Sequence, residues 1–408
     1  MGKTIYDIAL EIGSGLTPLR SNDQYWNSRD FPWVKTEQLG AYQIFDANEY
    51  VSETALRETS IKVWPAKTVS IAMYGEGKTR GNSSILMIPS TTNQACCNIV
   101  VDPQKADYRF LYYWLKNNYE QLRSLAAGVR KNLNADDIKG FPFPDFEVGY
   151  QSRIADALSA VDDLIENNSK LCESLESMAK TLYDYWFTQF DFPNAEGKPY
   201  RTSGGAMEWN EQLKREIPKG WNSCKLKDYV DSITQPTSPG EHLNGMFYTP
   251  IDEIPKRQMS FYGGLSYTEA KSSLQLYEEN DILIGAMRVY FHRVCIAAQN
   301  GITRSTTMVL RPKDNWQLAF IYEVFNHDQT IQFANRISVG TQQPYVNWEE
   351  ALDSMEVISP DQQIVKEYCE RVNPIINKVK CLAKENYELA KLRDWLLPML
   401  MNGQAVVE

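Results

Sequence analysis

The sequence predicts an α+β fold in which two similar globular domains are separated by two long helices packed as an antiparallel coiled coil. Three observations support this prediction. The chain of 408 residues is too long for one ordinary domain. Its two halves resemble each other at an offset of about 210 residues. Each half ends in a segment whose apolar residues recur in alternating steps of four and three, as in a coiled coil.

The first domain is predicted over residues 1–149. Residues 98–103 are typical of a strand that ends at a proline, and residues 110–117 are typical of an amphipathic helix. A glycine loop at 128–133 follows, and residues 141–144 complete the domain as a short strand containing proline. This order of strand, helix, glycine loop and strand is the pattern that the second half repeats.

A first long helix is predicted over residues 150–187. Its apolar positions form a narrow stripe, which predicts a coiled-coil seam with one polar member. The seam consists of Ile154, Leu158, Val161, Ile165, Asn168, Cys172, Leu175, Ala179, Leu182 and Trp186. Residues 188–220, which are rich in proline, glycine and charge, are expected to connect the two halves.

The second domain is predicted over residues 221–360. A strand at 307–312, a helix at 319–326, a glycine loop at 340–345 and a strand at 357–360 follow in the order seen in the first half. One such correspondence could arise by chance, whereas several in the same order favour duplication of a single domain. We therefore expect two domains of one fold.

The second long helix is predicted over residues 361–400, followed by a tail at 401–408. Its seam is formed by Val372, Ile375, Val379, Leu382, Asn386, Leu389 and Leu396. In an antiparallel alignment nearly every layer is apolar and Asn168 faces Asn386, so we expect this asparagine pair to mark the register. Helices packed only on their own domains are the alternative. Pro374 predicts a kink or an irregular turn inside this helix.

Composition restricts the classes of function. Because the net charge is −10, any DNA-facing surface must be a local basic patch. The seven cysteines form no Cys-x-x-Cys pair and the three histidines have no partner at metal-ligand spacing, so neither a disulfide framework nor a metal site is expected. No apolar run reaches the roughly 20 residues of a membrane span, and no signal peptide is evident, so we expect a soluble, cytoplasmic protein without a membrane partner.

The sequence shows no pattern typical of an enzyme. It lacks the Asn/Asp-Pro-Pro-Tyr/Phe motif with which amino-methyltransferases hold a flipped base, and the nearest string is Gln342-Gln-Pro-Tyr345. Adjacent carboxylates such as Asp136 and Asp137 point apart on a helix, so we expect them to be solvated. A non-catalytic protein is therefore expected.

Several motifs, in their order along the duplicated chain, resemble the specificity subunits of type I restriction-modification systems. They are Gly13-Ser-Gly-Leu-Thr-Pro18, Trp33-Val-Lys-Thr-Glu37, Ile217-Pro-Lys-Gly-Trp221 and Tyr277-Glu-Glu-Asn-Asp-Ile-Leu-Ile284. The resemblance covers essentially the whole chain. There are two departures, because the first half has no counterpart of residues 217–221 and the second half has residues 231–236 in place of the glycine-threonine-proline opening.

This resemblance implies a non-catalytic reader of double-stranded DNA. Residues 1–149 and 221–360 would be its two target recognition domains, and they would recognise an asymmetric site in two parts. It also implies assembly with two methyltransferase subunits and with motor-nuclease subunits. No cofactor is expected in this chain, because S-adenosylmethionine would bind the methyltransferase partner. The alternative is a helical scaffold that binds only protein, although such a scaffold would have no use for two glycine-loop domains.

Two pairs of loops are predicted to contact DNA. Base recognition needs hydrogen-bond donors and acceptors at base edges, and loops on a rigid scaffold can present them. The candidate residues are Lys78, Thr79, Arg80 and Asn82 in the loop at 73–82, Arg288, Tyr290 and Arg293 in its counterpart at 286–293, and Arg130, Lys131, Asn132, Gln342 and Gln343 in the glycine loops. An ordinary solvated surface is the alternative for each of them.

Overall fold

The chain forms two compact units in a computed structural model that describes residues 2–75, 77, 79–126 and 132–405. Unit 1 comprises Met1–Asp163 together with Ala390–Glu408, and unit 2 comprises Leu164–Leu389. The division falls inside the two long helices, so each helix contributes residues to both units. The domain boundaries given above, at 149, 187, 220 and 360, therefore stay predictions.

Unit 1 combines short helices with two sheets. Its helices are α1 (Ile5–Ile8), α2 (Glu53–Glu58), α3 (Tyr108–Asn117), α4 (Tyr119–Ser124), α5 (Ala135–Lys139) and the first part of α6 (Val148–Tyr183). Its strands are β1 (Ala9–Ser14), β2 (Phe31–Val34), β3 (Gln43–Ile44), β4 (Glu49–Val51), β5 (Thr68–Ala72), β6 (Ser83–Leu86), β7 (Thr91–Thr92) and β8 (Cys96–Val101).

A five-stranded sheet in the order β1-β8-β5-β6-β3 forms the centre of unit 1. Its strands pair antiparallel except for β3 and β6, which are parallel. All five residues of β5 are buried, because both faces of the sheet are covered. One face packs in a core with Phe110 of α3, and the other packs with Val34 of β2. A smaller sheet has the order β4-β2-β7.

Unit 2 repeats this plan with more strands. Its helices are the rest of α6, which ends in a π-helical turn at Asp184–Thr188, then α7 (Leu318–Asn326), α8 (Asp328–Ile337) and most of α9 (Gln362–Met401). Its strands are β9 (Met207–Asn210), β10 (Arg215–Pro218), β11 (Asn222–Lys225), β12 (Val230–Ser232), β13 (Pro236–Thr237), β14 (Phe247–Tyr248), β15 (Ser260–Phe261), β16 (Leu265–Ser266), β17 (Leu274–Tyr277), β18 (Ile282–Gly285), β19 (Val294–Ala297), β20 (Gly301–Arg304), β21 (Thr307–Pro312) and β22 (Glu356–Ser359).

The central sheet of unit 2 has the order β12-β21-β18-β19-β15, strand for strand the topology of unit 1. It is likewise antiparallel except for its last pair, β15 and β19. The second sheet, β13-β17-β20-β14-β16, has two strands more than its counterpart. The predicted α+β architecture with a duplicated domain is therefore confirmed, and the additional strands explain why the offset between the halves is not constant.

In unit 2, α6 and α9 run antiparallel. The amide nitrogen of Asn386 donates to the carbonyl of Ile165 at 3.3 Å and to the hydroxyl of Ser169 at 3.2 Å. At the other end, the hydroxyl of Tyr368 donates to the carbonyl of Ala179 at 3.3 Å. Residues towards the C-terminal end of each helix thus contact residues towards the N-terminal end of the other, as the antiparallel alignment of the seams predicts.

The two asparagines of the seam lie within one helical turn of each other along α6, but they do not pair as the sequence suggests. Asn386 bonds instead to Ile165 and Ser169, which bracket Asn168. Among the described residues, the buried Nδ2 of Asn168 and the buried Oδ1 of Asn386 have no hydrogen-bond partner. Ser169, whose hydroxyl also donates to the Ile165 carbonyl at 2.8 Å, supplies the competing partner.

In unit 1, the same two helices meet through a buried ion pair. Arg393 of α9 donates to Asp162 of α6 at 2.6 Å, and Asp162 also accepts from the hydroxyl of Tyr113 of α3 at 2.7 Å. The side chains of Asp162 and Arg393 are only 3% and 13% exposed. Three helices are therefore joined at one polar point inside an otherwise apolar core.

The irregular turn that Pro374 predicts is absent from α9, all of whose residues the structure describes. The helix runs without interruption from Gln362 to Met401. Pro374 and Glu370 both lie on the exposed side of the helix, where water can hydrate the carbonyl that lacks an amide partner.

Candidate nucleic-acid interface

In unit 2, the two loops predicted to contact DNA lie side by side. The carbonyl of Ala286, just after β18, accepts from the amide of Val346 at 3.0 Å. The amide of Arg288 donates to the carbonyl of Pro344 at 2.7 Å. The loop after β18 and the glycine loop at 340–345 therefore form one continuous surface.

Four of the five candidate residues of unit 2 lie on this surface, namely Arg288, Tyr290, Gln342 and Gln343. Gln342 and Gln343 are exposed, and Arg288 donates from its guanidinium to the carbonyl of Gln342 at 3.3 Å. Tyr290 is 49% exposed and contacts Phe291 edge to face, with ring centroids 4.9 Å apart. An arginine, two amides and an exposed aromatic pair can together hydrogen-bond to base edges and stack on bases.

The backbone of this loop is held in an unusual conformation. Arg288 and His292 have φ angles of 49° and 53°, in the left-handed region that side chains other than glycine rarely adopt. His292 is buried and its Nε2 contacts the side-chain oxygen of Asn326 at 2.8 Å. Burial lowers the pKa of His292, which favours the neutral form of its imidazole. Strain of this kind persists only where the surrounding structure holds the loop in place.

Arg293, the third candidate in this loop, points back into unit 2. Its guanidinium donates to the carbonyl of Asp252 at 3.0 Å and also to the carbonyl of Ile254, and its side chain is 14% exposed. Its donors are engaged inside the protein, which favours a structural role over contact with a base. The sequence could not reveal this because both partners lie about 40 residues away.

In unit 1, the corresponding loops are anchored by the same backbone bonds. The amide of Met73 donates to the carbonyl of Ala95 at 2.8 Å, as Ala286 donates to Thr306 at 3.0 Å. The carbonyl of Met73 accepts from the amide of Leu133 at 3.0 Å, the counterpart of the bond between the loops of unit 2. The backbone scaffold beneath the loop pairs of the two units is thus the same.

The four candidate residues of unit 1 that the structure describes are half-buried, and three of them, Thr79, Arg80 and Asn82, lie in one turn. The amide of Asn82 donates to the carbonyl of Thr79 at 3.1 Å, and the carbonyl of Asn82 accepts from Ala72 at 2.8 Å. Arg80 lies inside this turn, and Asn132 lies at the end of the glycine loop. The remaining candidates, Lys78, Arg130 and Lys131, lie outside the described residues.

One residue that sequence reasoning missed, Arg123 of α4, braces the first loop. It donates to the carbonyl of Gly77 at 2.8 Å and to the hydroxyl of Tyr119 at 3.1 Å. Gly81, with φ at +87°, lies against it, because an added Cβ would fall 2.8 Å from the Cγ of Arg123. Gly81 therefore leaves room for the side chain of Arg123. No pattern in the sequence connects these distant residues.

In the part of the chain that the structure describes, no cluster of three or more histidine, cysteine, aspartate or glutamate residues is arranged to hold a metal ion. Within the same residues, no helix combines the length and the apolar character needed to cross a bilayer. Burial raises the pKa of Cys97 to about 12, which makes its thiol a poor nucleophile.

Comparison with known proteins connects this architecture to a family. Residues 3–177 match the family model of the type I restriction modification DNA specificity domain. The type I restriction enzyme MjaIX specificity subunit of Methanocaldococcus jannaschii is 27% identical over all of this chain and 93% of its own length. The HindI specificity subunit of Haemophilus influenzae is 21% identical over 72% of this chain and 77% of its own length.

A solved structure shares the fold along the same length. The S subunit of a type I restriction-modification system from M. genitalium superposes with a TM-score of 0.58 at 17% identity, covering 98% of this chain and 95% of that chain. The relatives found by sequence and by structure carry the same description as the matching family domain. The chain is therefore similar along its whole length to specificity subunits of type I restriction-modification systems, and its residues 3–177 match their DNA specificity domain.

Proposed function

We propose that this chain recognises an asymmetric, two-part DNA sequence and positions two adenine methyltransferase subunits, and in the full complex the motor-nuclease subunits, on it. The chain itself would be non-catalytic and would act in the cytoplasm. S-adenosylmethionine would bind the methyltransferase partner, which would flip and methylate the adenine. The name shared by its relatives supports this proposal, and the loops of the two units give it a physical basis.

One observation carries the proposal: the two loop pairs rest on the same backbone anchors but present different side chains. In unit 1, the loop after β5 presents Thr79 and Arg80 around a turn. In unit 2, the equivalent loop presents Arg288 and Tyr290 beside Gln342. Since bases are distinguished by the donors and acceptors that meet their edges, two such surfaces would read different half-sites.

The charge on Arg288 is available to DNA. Its one described side-chain contact is a carbonyl. Two other arginines of unit 2 are neutralised locally, because Arg311 pairs with Asp281 at 2.7 Å and Arg257 pairs with Asp328 at 3.2 Å. A chain with a net charge of −10 can therefore still present positive charge at its reading loop.

A stripe of exposed apolar residues on α6 supports a protein partner. Leu164, Leu171, Met178 and Tyr185, which we call the outer stripe, are 49%, 42%, 60% and 37% exposed. They recur every seven residues and each precedes a residue of the seam. An apolar position beside the seam is typical of bundles with more than two helices, so the outer stripe would receive a helix of a methyltransferase subunit.

In unit 1, the corresponding helix is α9, and it also carries exposed apolar residues. Leu392 and Trp395 of α9 are 45% and 60% exposed. In each unit, the helix that comes from the other half of the chain thus leaves an apolar surface uncovered. Two such surfaces in a duplicated chain would accept two copies of one partner.

DNA recognition is tested by Arg288→Ala, assembled with the methyltransferase. We expect the variant to lose roughly 1 to 3 kcal/mol of binding to its cognate site, confined to one half-site. Arg201→Ala, at an exposed residue of the connecting segment, is the matched control and should leave binding unchanged. Competition gel shifts with each half-site altered in turn would measure both variants. Equal binding of all DNA sequences by the wild-type complex would favour the protein-only scaffold.

Partner binding is tested by Met178→Glu, which places a charge in the middle of the outer stripe. We expect at least a ten-fold loss of methyltransferase affinity, because the charge would be desolvated in the interface. Asn167→Glu, at an exposed position of the same helix, is the control. Equal retention of the methyltransferase by both variants on size-exclusion chromatography would show that the stripe is not the docking surface.

A further inference from the structure

A groove of about 900 Å³ opens beside the reading loops of unit 2. It lies between the end of β12, the turn from β20 to β21, and the chain that follows the glycine loop. Its polar lining includes Gln275, Thr307, Gln343, Glu349 and Glu350. The groove begins at the surface that holds Arg288 and Gln342, because Gln343 and Tyr345 form part of its wall.

The lining has a definite hydrogen-bonding character. Among the residues that form it, all of which the structure describes, none is a lysine or an arginine. The two carboxylates, Glu349 and Glu350, are exposed and would repel a phosphate. Carboxylates accept hydrogen bonds, so the groove suits a neutral group that donates them. The side-chain amide of Gln275 is already engaged, donating to the carbonyl of Thr307 at 2.6 Å.

Unit 1 fills the equivalent space with its own backbone. After β1, Gly15 donates to the carbonyl of Cys96 at 3.3 Å and Leu16 donates to the carbonyl of Thr92 at 2.9 Å. A Cβ on Gly15 would fall 2.1 Å from the carbonyl oxygen of Thr92, so only glycine fits. This is the glycine-threonine-proline opening that the second half lacks.

In unit 2, the chain leaves the corresponding strand edge and the space stays open. Ile233 still bonds to Val309, from its amide to the carbonyl at 2.8 Å. Three residues later the chain has joined the second sheet, where Pro236 pairs with Gln275. The groove therefore results from the two additional strands of that sheet. Glu350, at its edge, has a φ of 58°, a strained conformation for a residue with a side chain.

We propose that this groove makes unit 2 specific for a DNA base with an exocyclic amino group, and that Glu349 and Glu350 accept the hydrogen bond from it. This inference rests on the proposed function, since it adds determinants to the second reading surface. Cytosine N4 and adenine N6 are the two such donors in the major groove, and carboxylates are suited to accept from the former. The absence of basic residues from the lining fits a base edge better than the phosphate backbone.

The test is the methylation motif produced by the complete complex. The chain carrying Glu349→Ala and Glu350→Ala is expressed with its methyltransferase, and methylated sites are mapped by sequencing. We expect methylation of sites substituted at one or two positions of a single half-site to rise on the order of ten-fold or more, with the other half-site and the spacer unchanged. The base at the relaxed position would tell cytosine from adenine.

Glu253→Ala removes an exposed carboxylate of the same unit outside the groove and is the matched control. An unchanged motif in the double variant would overturn the inference. So would an equal loss of methylation at all sites with less methyltransferase bound, because the groove would then hold a basic segment of the partner. If the wild-type complex methylates no defined motif, the proposed function fails instead. Thermal unfolding of both variants confirms that each is folded.

Discussion

The two units share a central sheet and differ where its strands end. The five strands follow one order in both units, and the loops after β5 and β18 are anchored by equivalent backbone bonds. Beyond these anchors, unit 1 closes the space beside the sheet with Gly15, whereas unit 2 leaves a groove. A duplicated scaffold can thus carry two different surfaces, because the hydrogen bonds that hold a loop do not depend on its side chains.

The two units also differ in how they accommodate buried ionisable groups. When Phe110 of α3 is aligned with Phe320 of α7, Tyr113 corresponds to Glu323. Tyr113 donates to a carboxylate that also has an arginine partner, so the cluster of unit 1 is charge-matched. Glu323 is buried without an ion pair among the described contacts, and burial raises its pKa to about 8. Unit 1 therefore stabilises the charged form of a buried carboxylate, Asp162, whereas unit 2 favours the neutral form of Glu323.

The largest effect is expected for Asp162→Ala. Removing this carboxylate leaves Arg393 charged and largely buried, with the more exposed Asp394 as its remaining partner. Breaking a buried ion pair in this way typically costs about 3 to 5 kcal/mol of unfolding free energy. Asp156→Ala on the same helix is the control, because Asp156 is 65% exposed and its pair with Arg109 should contribute at most about 1 kcal/mol. Chemical denaturation would measure both. Equal losses would mean that the buried pair does not stabilise the junction of the three helices.

A second prediction concerns pH and Glu323. The folded protein retains a proton on this carboxyl up to about pH 8, whereas the ordinary value is 4.5. The unfolding free energy should therefore fall as pH rises from about 4.5 to about 8 and become level above that range. Glu323→Gln stays neutral at every pH, so it should flatten this dependence and stabilise the protein by up to a few kcal/mol, roughly, at pH 8.5.

Thermal unfolding at pH 5, 7 and 8.5 would follow the effect. Glu211→Gln is the matched control, because the side chain of Glu211 is 72% exposed. The prediction requires the two variants to diverge as pH rises. Parallel curves would show that Glu323 is ionised in the folded protein and that the two units treat buried charge alike.

The closed space of unit 1 is tested by Gly15→Ala. The added Cβ would overlap the carbonyl of Thr92, a backbone atom that cannot move away freely, so we expect a loss of about 1 to 3 kcal/mol. Gly149→Ala is the control, because its Cβ would meet nothing within 4 Å and lies in a helix, where alanine is favoured. A neutral Gly15→Ala would mean that unit 1 can open as unit 2 does.

The sequence was sufficient to predict the duplicated scaffold, because its signals are local and periodic. The strand, helix and glycine-loop order recurs, and the heptads of α6 and α9 place every seam residue at a buried or half-buried position. The strands at 98–103 and 307–312 became β8 and β21, which occupy equivalent positions in the two sheets. Patterns of this kind depend only on neighbours along the chain.

The candidate site was harder to predict from the sequence, because its chemistry depends on contacts between residues that are distant along the chain. Arg288 and Arg293 lie five residues apart with equal potential to bind DNA, yet Arg293 is engaged by the turn at 252–254. Arg123 braces a loop 46 residues away through a carbonyl that no motif marks. The groove could not be predicted either, since it depends on where the chain goes after β12. Such features follow from the tertiary path rather than from residue type.

The smallest effect on stability is expected for the seam asparagines. Asn168 and Asn386 leave one donor and one acceptor unsatisfied, so replacing both with leucine should change the unfolding free energy by no more than about 1 kcal/mol, with stabilisation favoured.

The polar layer would nevertheless be lost in this double variant, and with it a penalty on slipped alignments of the two helices. A slip of one heptad corresponds to roughly 10 Å along a helix, about three base pairs of DNA. We therefore expect the double variant to remain stable but to methylate sites with more than one spacer length. Methylome sequencing beside thermal unfolding would separate the two roles: a single unchanged spacer would assign the register to the apolar layers, and a loss of several kcal/mol would make the asparagines a source of stability instead.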